Sequence, residues 1–176
     1  MPKTSQKFLD KIRIVPDFPK KGIRFLDLTT LFNDAGSFSE IIDIFAERYR
    51  DKGIDQVVGI ESRGFVVASA LALKLGCGVT LIRKPGKLPA EILSESYELE
   101  YGVNEIQIHK DALNSGSKVL LIDDLLATGG TMQAAIKLVE RLGAGIAEVA
   151  FIVELGFLNG REKLGDHSVF TLIESD

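Results

Sequence analysis

Asp123 and Asp124 stand side by side after the apolar run VLLI (119–122), and Leu125–Leu126 lead from them into Ala127, Thr128, Gly129, Gly130 and Thr131. Ionised carboxylates only accept hydrogen bonds, so the pair suits hydroxyl donors and repels a bare phosphate. Glycines at the start of a helix do the opposite. They leave backbone N–H groups free at the positive end of the helix dipole and let an anion approach without a Cβ in the way. Thr128 and Thr131 add hydroxyl donors. One ligand class satisfies both halves of the segment: a sugar phosphate, with its hydroxyls on the acids and its phosphate on the loop. Neither GxxxxGK[ST] nor a post-strand GxGxxG occurs. On its own the segment also reads as a solvated strand end followed by a plain turn.

Further chemistry gathers after two other apolar runs. ESRGF (61–65) follows QVVGI (56–60) and carries Arg63, while Arg83, Lys84 and Lys87 follow VTLI (79–82). Taken singly, these cations read as solvated surface charges; grouped at strand ends they suit a polyanion. Phe25, in GIRFLDL, can stack on a flat ring or fill a core. Cys77 lies in apolar LGCGV with no histidine nearby and reads as a small buried filler. His109 and His167 show no metal-ligand spacing.

The elements that must position these groups alternate strand and helix. QVVGI, VTLI, KVLLI (118–122) and IAEVAFIVE (146–154) are short apolar runs, the pattern of strands buried on both faces. Between them, Phe65–Leu75 and the stretch from Met132 to Leu142 repeat apolar residues at helical spacing. So do Phe38, Ile41, Ile42, Phe45 and Tyr49, behind a capping box at Ser37–Glu40 and before a stop at Gly53. The expected fold is α/β, a central mostly parallel sheet with helices on both faces in a single domain over 1–176. Residues 83–117 break the alternation. YELEY and EIQIH alternate polar with apolar and predict a hairpin there, and 83–102, bracketed by Gly86 and Gly102, is expected to be a flexible lid. The chain ends, 1–35 and 155–176, are expected to form a small cap at one edge.

The formal charge of −4 over 176 residues argues against a general nucleic-acid binder, although a local basic pocket stays possible. The N-terminal residues lack the apolar core of a signal peptide, and glycines and Lys74 interrupt the most apolar stretch, 64–82, too often for a membrane span. With one cysteine, these features give a cytoplasmic protein as the expectation.

VLLIDDLLATGGT resembles the phosphoribosyl-pyrophosphate (PRPP) signature of the type I phosphoribosyltransferase family. VPDFPKKGIRFLDLT (15–29), GIESRGF (59–65), LIRKPGKLP (81–89) and YELEYG (97–102) extend the resemblance, in order, to that family's adenine-using branch. The resemblance implies the type I phosphoribosyltransferase fold and transfer of ribose 5-phosphate from PRPP to N9 of adenine, giving AMP and pyrophosphate in purine salvage. It implies that Asp123 and Asp124 hold the ribose hydroxyls and Ala127, Thr128, Gly129, Gly130 and Thr131 the 5′-phosphate. Pyrophosphate would fall to Ser62, Arg63, Gly64, Arg83, Lys84, Lys87 and Tyr101, with a cis peptide at Glu61–Ser62. Adenine would lie between Phe25 and Leu125, its edge read by the backbone of Arg24 and Leu26. Leu26 stands where a basic residue often follows the phenylalanine. Glu100 is the catalytic acid expected at N7 of the base. Mg²⁺ is the implied cofactor, held mainly by the substrate's pyrophosphate and water, so no protein metal cluster is expected. A homodimer is implied. The competing readings are an enzyme for a 6-oxopurine (hypoxanthine, guanine or xanthine), a PRPP-sensing regulator, and an unrelated Rossmann-like methyltransferase. The last leaves RKPGKLP and YELEYG unexplained.

Overall fold

The computed structural model of the chain describes residues 3–99 and 102–175. The elements run α1 (Lys3–Leu9), β1 (Arg13–Pro16), β2 (Arg24–Asp27), α2 (Thr29–Asn33), α3 (Ala35–Tyr49), β3 (Gln56–Ile60), α4 (Gly64–Leu75), β4 (Gly78–Ile82), β5 (Ile92–Leu99), β6 (Gly102–His109), β7 (Lys118–Leu126), α5 (Gly130–Arg141), β8 (Gly145–Leu155) and β9 (Val169–Ser175). Two short 3₁₀ turns, Gly156–Leu158 and Gly160–Leu164, join β8 to β9.

Five parallel strands form the central sheet in the order β4-β3-β7-β8-β9. Adjacent residues of its strands serve opposite faces. Val57, Leu120 and Ile122 pack with α3 and α4, whereas Val58, Val119 and Leu121 pack with α5. Both faces of β3 and β7 are covered by apolar side chains, which is why they read as unbroken apolar runs; β4, expected to be buried on both faces, lies at the sheet edge and leaves Val79 and Leu81 exposed.

The chain leaves β3 through α4 to β4 on one side, then reappears as β7 on the other side of β3. The order therefore reverses between β3 and β7. In doubly wound sheets the crevice at such a reversal, outside the carboxyl ends of the strands, is the ligand site. ESRGF and DDLLATGGT leave the sheet at that crevice.

Three expectations change. Asp34, not Ser37, caps α3: its carboxylate accepts from the Ser37 N–H at 2.6 Å, and the helix begins at Ala35. β7 continues to Leu126, so the two acids lie within the strand, because β7 keeps pairing with β8 as far as Leu126–Glu154. The C-terminal segment is no cap. It supplies β9, which completes the sheet and carries α1 through a Ser5 hydroxyl bond to the Leu172 carbonyl.

The expected hairpin is present and longer than its sequence signal. β5 and β6 pair antiparallel from Ile92–His109 to Leu99–Gly102. Glu95 anchors it to α5 through Lys137 and Arg141, both at 3.1 Å. Paired bonds between Arg83 and Gln107 join it to the end of β4.

Candidate active site

Two contiguous cavities open at the reversal. One of about 90 Å³ is enclosed by residues 125–132 with Asp123 and Phe151. The other, about 400 Å³, is lined by Glu61, Ser62, Arg63, Lys84, Tyr97, Asn104, Asp123, Asp124, Leu125 and Thr131. Asp123, Leu125 and Thr131 face both.

The small cavity is built around the start of α5. Gly129 is the helix cap at φ +79°, and no side chain caps this end. The first α-helical bond runs from the Gln133 N–H to the Gly129 carbonyl, which leaves the preceding amides without helical acceptors. Gly129 is required on two counts, since a Cβ there would also lie 2.2 Å from the Gly160 carbonyl oxygen. The donor set suits a phosphate.

Asp123 and Asp124 alternate in direction along β7, yet both reach the larger cavity. Asp123 accepts from the Asp124 N–H at 2.9 Å, and Asp124, only 4% exposed, forms a 2.6 Å ion pair with Arg63. Burial and then the charge of Asp124 push the Asp123 carboxyl well above the ordinary carboxylate range. Burial also raises Asp124, against the opposing pull of Arg63. Burial disfavours the charged form of both acids, and the Arg63 guanidinium offsets this at Asp124, so the pair forms a buried acceptor floor whose charge depends on its cationic partners.

On the other wall, the Glu61–Ser62 peptide is cis, as the resemblance implied. Glu61 organises the neighbouring cations. Its carboxylate accepts from the Arg83 Nε at 3.1 Å and the Lys84 N–H at 3.0 Å. Burial works to raise the Glu61 carboxyl, but these partners prevail and hold it below its usual value.

The expected residues do not all converge. Ser62, Arg63, Lys84, Leu125, both aspartates and Thr131 line the larger cavity, and Ala127–Thr131 the smaller. Arg83 turns instead to Glu61 and the Lys87 carbonyl, and Lys87 contributes that carbonyl from an exposed position. Gly64 stands behind Asp123, where a Cβ would come within 2.6 Å of Oδ1. Phe25 lies beside the site, with the Arg63 guanidinium 5.6 Å from its ring centroid. Leu26 packs on the apolar core and Arg24 is exposed, and neither side chain lines the two cavities. Glu100 and Tyr101 lie outside the described residues. His167 sits 3.4 Å from Glu140, and among the described residues no cluster of three or more His, Cys, Asp or Glu could hold a metal ion.

A model of the phosphoribosyl transferase domain matches residues 27–175. The adenine phosphoribosyltransferase of Geobacter metallireducens is 56% identical over 162 residues, spanning 92% of this chain and 95% of that protein. The chain belongs to the phosphoribosyltransferase family, among its adenine phosphoribosyltransferases. Solved phosphoribosyltransferase structures agree. The enzyme of Thermoanaerobacter pseudethanolicus superposes with a TM-score of 0.94 at 46% identity, covering 98% of this chain and 100% of that one. The Saccharomyces cerevisiae enzyme, solved with an imino-altritol bisphosphate and adenine, gives 0.92 at 43% identity, covering 98% and 99%.

Against this phosphoribosyltransferase frame, sequence reasoning missed several residues. Tyr97 and its cross-strand partner Asn104 line the larger cavity, and Phe18 packs edge-on against Phe25 at 5.1 Å. Glu61 orders the cations, and Gly160 backs the phosphate loop. Tyr97 and Glu61 lay inside recognised motifs but beside the residues chosen. Nothing in the spacing pointed to Gly160, which lies about thirty residues from the loop it touches.

Proposed function

We propose that the chain transfers ribose 5-phosphate from PRPP to N9 of adenine, releasing pyrophosphate and forming AMP. One observation carries the reading: an acidic pair runs directly into an uncapped helix N-terminus at the sheet's reversal, facing cations across a single cavity. Relatives named adenine phosphoribosyltransferase at over 50% identity support the choice of base.

In this reading Ala127–Thr131 receive the 5′-phosphate through backbone amides and the threonine hydroxyls. Asp123 and Asp124 accept from the ribose hydroxyls, and their charge favours the positive character that develops at the anomeric carbon as the bond to pyrophosphate breaks. Arg63, Lys84 and the Ser62–Gly64 turn take the leaving pyrophosphate, with Arg83 held nearby by Glu61. To meet pyrophosphate, the Arg63 guanidinium exchanges its 2.6 Å pairing with Asp124 for a phosphate oxygen. Phe25 and Leu125 flank the base. Glu100 and Tyr101 follow Leu99 in the chain, and Glu100 is assigned to the imidazole edge of adenine.

Mg²⁺ fits these residues only as a substrate-bound ion. The cavity supplies hard oxygen donors from Asp123, Asp124 and Ser62, and among the described residues no group of three or more His, Cys, Asp or Glu could hold a metal ion, which suits a cation carried largely by phosphate oxygens and water. When bound, it would neutralise charge on the departing pyrophosphate.

We also propose a homodimer in the cytoplasm. Val66, Leu73, Val79 and Leu81 are exposed on α4 and the edge strand β4 and support burial against a second copy; a sedimentation mass of one chain would remove that part. No described helix is long and apolar enough to cross a membrane.

The deciding assay offers PRPP and Mg²⁺ with adenine, hypoxanthine, guanine and xanthine in turn and follows pyrophosphate release. Adenine-selective turnover is expected. Preference for a 6-oxopurine would transfer the assignment to that base, and no turnover with any purine would refute it.

A further inference from the structure

Gly160, in the turn between β8 and β9, abuts the back of the phosphate loop. A Cβ on Gly160 would lie 2.1 Å from the Ala127 carbonyl oxygen and 3.1 Å from the Gly129 nitrogen; one on Gly129 would lie 2.2 Å from the Gly160 carbonyl oxygen. Backbone meets backbone here, with no side chain between them to absorb a displacement. Wherever this turn goes, the loop must follow or lose its wall.

The next residue, Arg161, fixes the turn. Its Nε donates to Glu154 Oε1 at 3.1 Å, Nη1 to the Val169 carbonyl at 3.1 Å, and Nη2 to the Thr171 hydroxyl at 3.2 Å and to Glu154 Oε2. The Thr171 hydroxyl donates to Glu154 Oε2 at 2.9 Å. Glu154 is only 6% exposed and pairs in register with Leu126, the residue immediately before the loop. One planar guanidinium therefore ties the turn to β8 and β9 at the level where β7 releases the phosphate loop. Its rigid fork gives a directional hold that a flexible ammonium does not.

We propose that Arg161 is a positioning residue for PRPP: by clamping Glu154, Val169 and Thr171 it holds Gly160 against Ala127–Gly129 and so sets the shape of the 5′-phosphate cradle. The proposal rests on the reading of 127–131 as that cradle.

The test is a steady-state comparison of wild type with Arg161→Ala, Arg161→Lys and Gly160→Ala, with Tm recorded for each. Arg161→Ala is expected to raise the KM for PRPP about tenfold or more, the scale of losing a hydrogen bond to a charged group. The KM for adenine and kcat should move far less, because the loop does not touch the base. Arg161→Lys should recover part of the loss, since an ammonium restores the charge opposite Glu154 but not all three contacts. Gly160→Ala keeps the clamp and pushes a methyl at the Ala127 carbonyl, so it should reproduce the PRPP-selective defect. It decides the matter alone if Arg161→Ala does not fold. A folded variant with unchanged PRPP KM, or with both substrates weakened alike, overturns the proposal. If wild type itself turns over no purine, the functional reading fails, and calorimetric titration with ribose 5-phosphate tests the clamp separately. Weaker binding by the variants supports it, and equal binding overturns it.

Discussion

Replacing Gly64 by alanine separates the geometry of the acidic pair from the stability of the fold. Gly64 opens α4, and its φ is not positive, so alanine is acceptable to the backbone. The obstacle is Asp123. The new Cβ would stand 2.6 Å from Oδ1 and 3.3 Å from both Cγ and the Ile122 carbonyl oxygen, whereas ordinary contact begins near 3.4 Å. The shortfall at Oδ1, 3.4 minus 2.6, is 0.8 Å. The carboxylate must retreat by about that distance, drawing Oδ1 from the Asp124 N–H it accepts at 2.9 Å. A misplacement of ~1 Å at a reacting group can cost about 10²-fold, equivalent to roughly 2.7 kcal/mol of barrier. Alanine at the same time recovers up to about 1 kcal/mol of helix propensity, which offsets part of the steric cost. At roughly 2–4 °C per kcal/mol for a chain of this size, Tm should shift by only a few degrees. The assay is kcat/KM for PRPP at saturating adenine, beside thermal unfolding of the same preparation. An unchanged kcat/KM in a folded Gly64→Ala protein would show that the position of Asp123 does not matter, and the role given to the pair would fall with it.

Two predictions concern charge. Burial and Asp124 raise the Asp123 carboxyl in the folded state, so folded protein binds that proton more tightly than unfolded chain; wild type therefore loses stability as pH climbs from the ordinary carboxylate range through the raised value. Asp123→Asn should unfold at a higher temperature than wild type at pH 7 while losing kcat/KM for PRPP, with the Tm gap closing on acidification; a variant less stable at pH 7 would reverse the reasoning. Glu148 behaves in the opposite sense. Burial works to raise its carboxyl, but bonds from Arg48 and then Ser168 pull it from 4.5 down to about 2. Its contribution is complete above about 4.5 and is lost as pH falls towards about 2. The Tm deficit of Glu148→Gln should thus be full at neutral pH and shrink across that window, and a deficit independent of pH would contradict the assignment.

The layout of the sheet was legible because each strand carries its own pattern. QVVGI matches β3 residue for residue, and KVLLI starts β7 where the structure does. Where β7 ends was not legible, because Asp123 and Asp124 break the apolar run while their backbones go on pairing with β8. β9 was missed for a related reason. VFTLIES is only partly buried at the sheet edge and follows two 3₁₀ turns instead of a helix, so no strand–helix alternation announced it. In the site, the acids and the phosphate loop were visible because they are contiguous in the chain. The base slot was less so: the sequence could not tell that Leu26 packs into the core while Phe25, its neighbour, faces Arg63.

By itself the amino-acid sequence determined what depends on short spacing: the buried strands, the helices between them, and the acids followed at once by free amides. The tertiary structure alone decided the pairings between distant segments. It seated Arg63 on Asp124, turned Arg83 towards Glu61, brought Tyr97 and Asn104 over the cavity, and set Gly160 against Gly129. Local periodicity records which face of an element is buried. It carries no record of which other element lies across that face, and the order of strands in the sheet settles that.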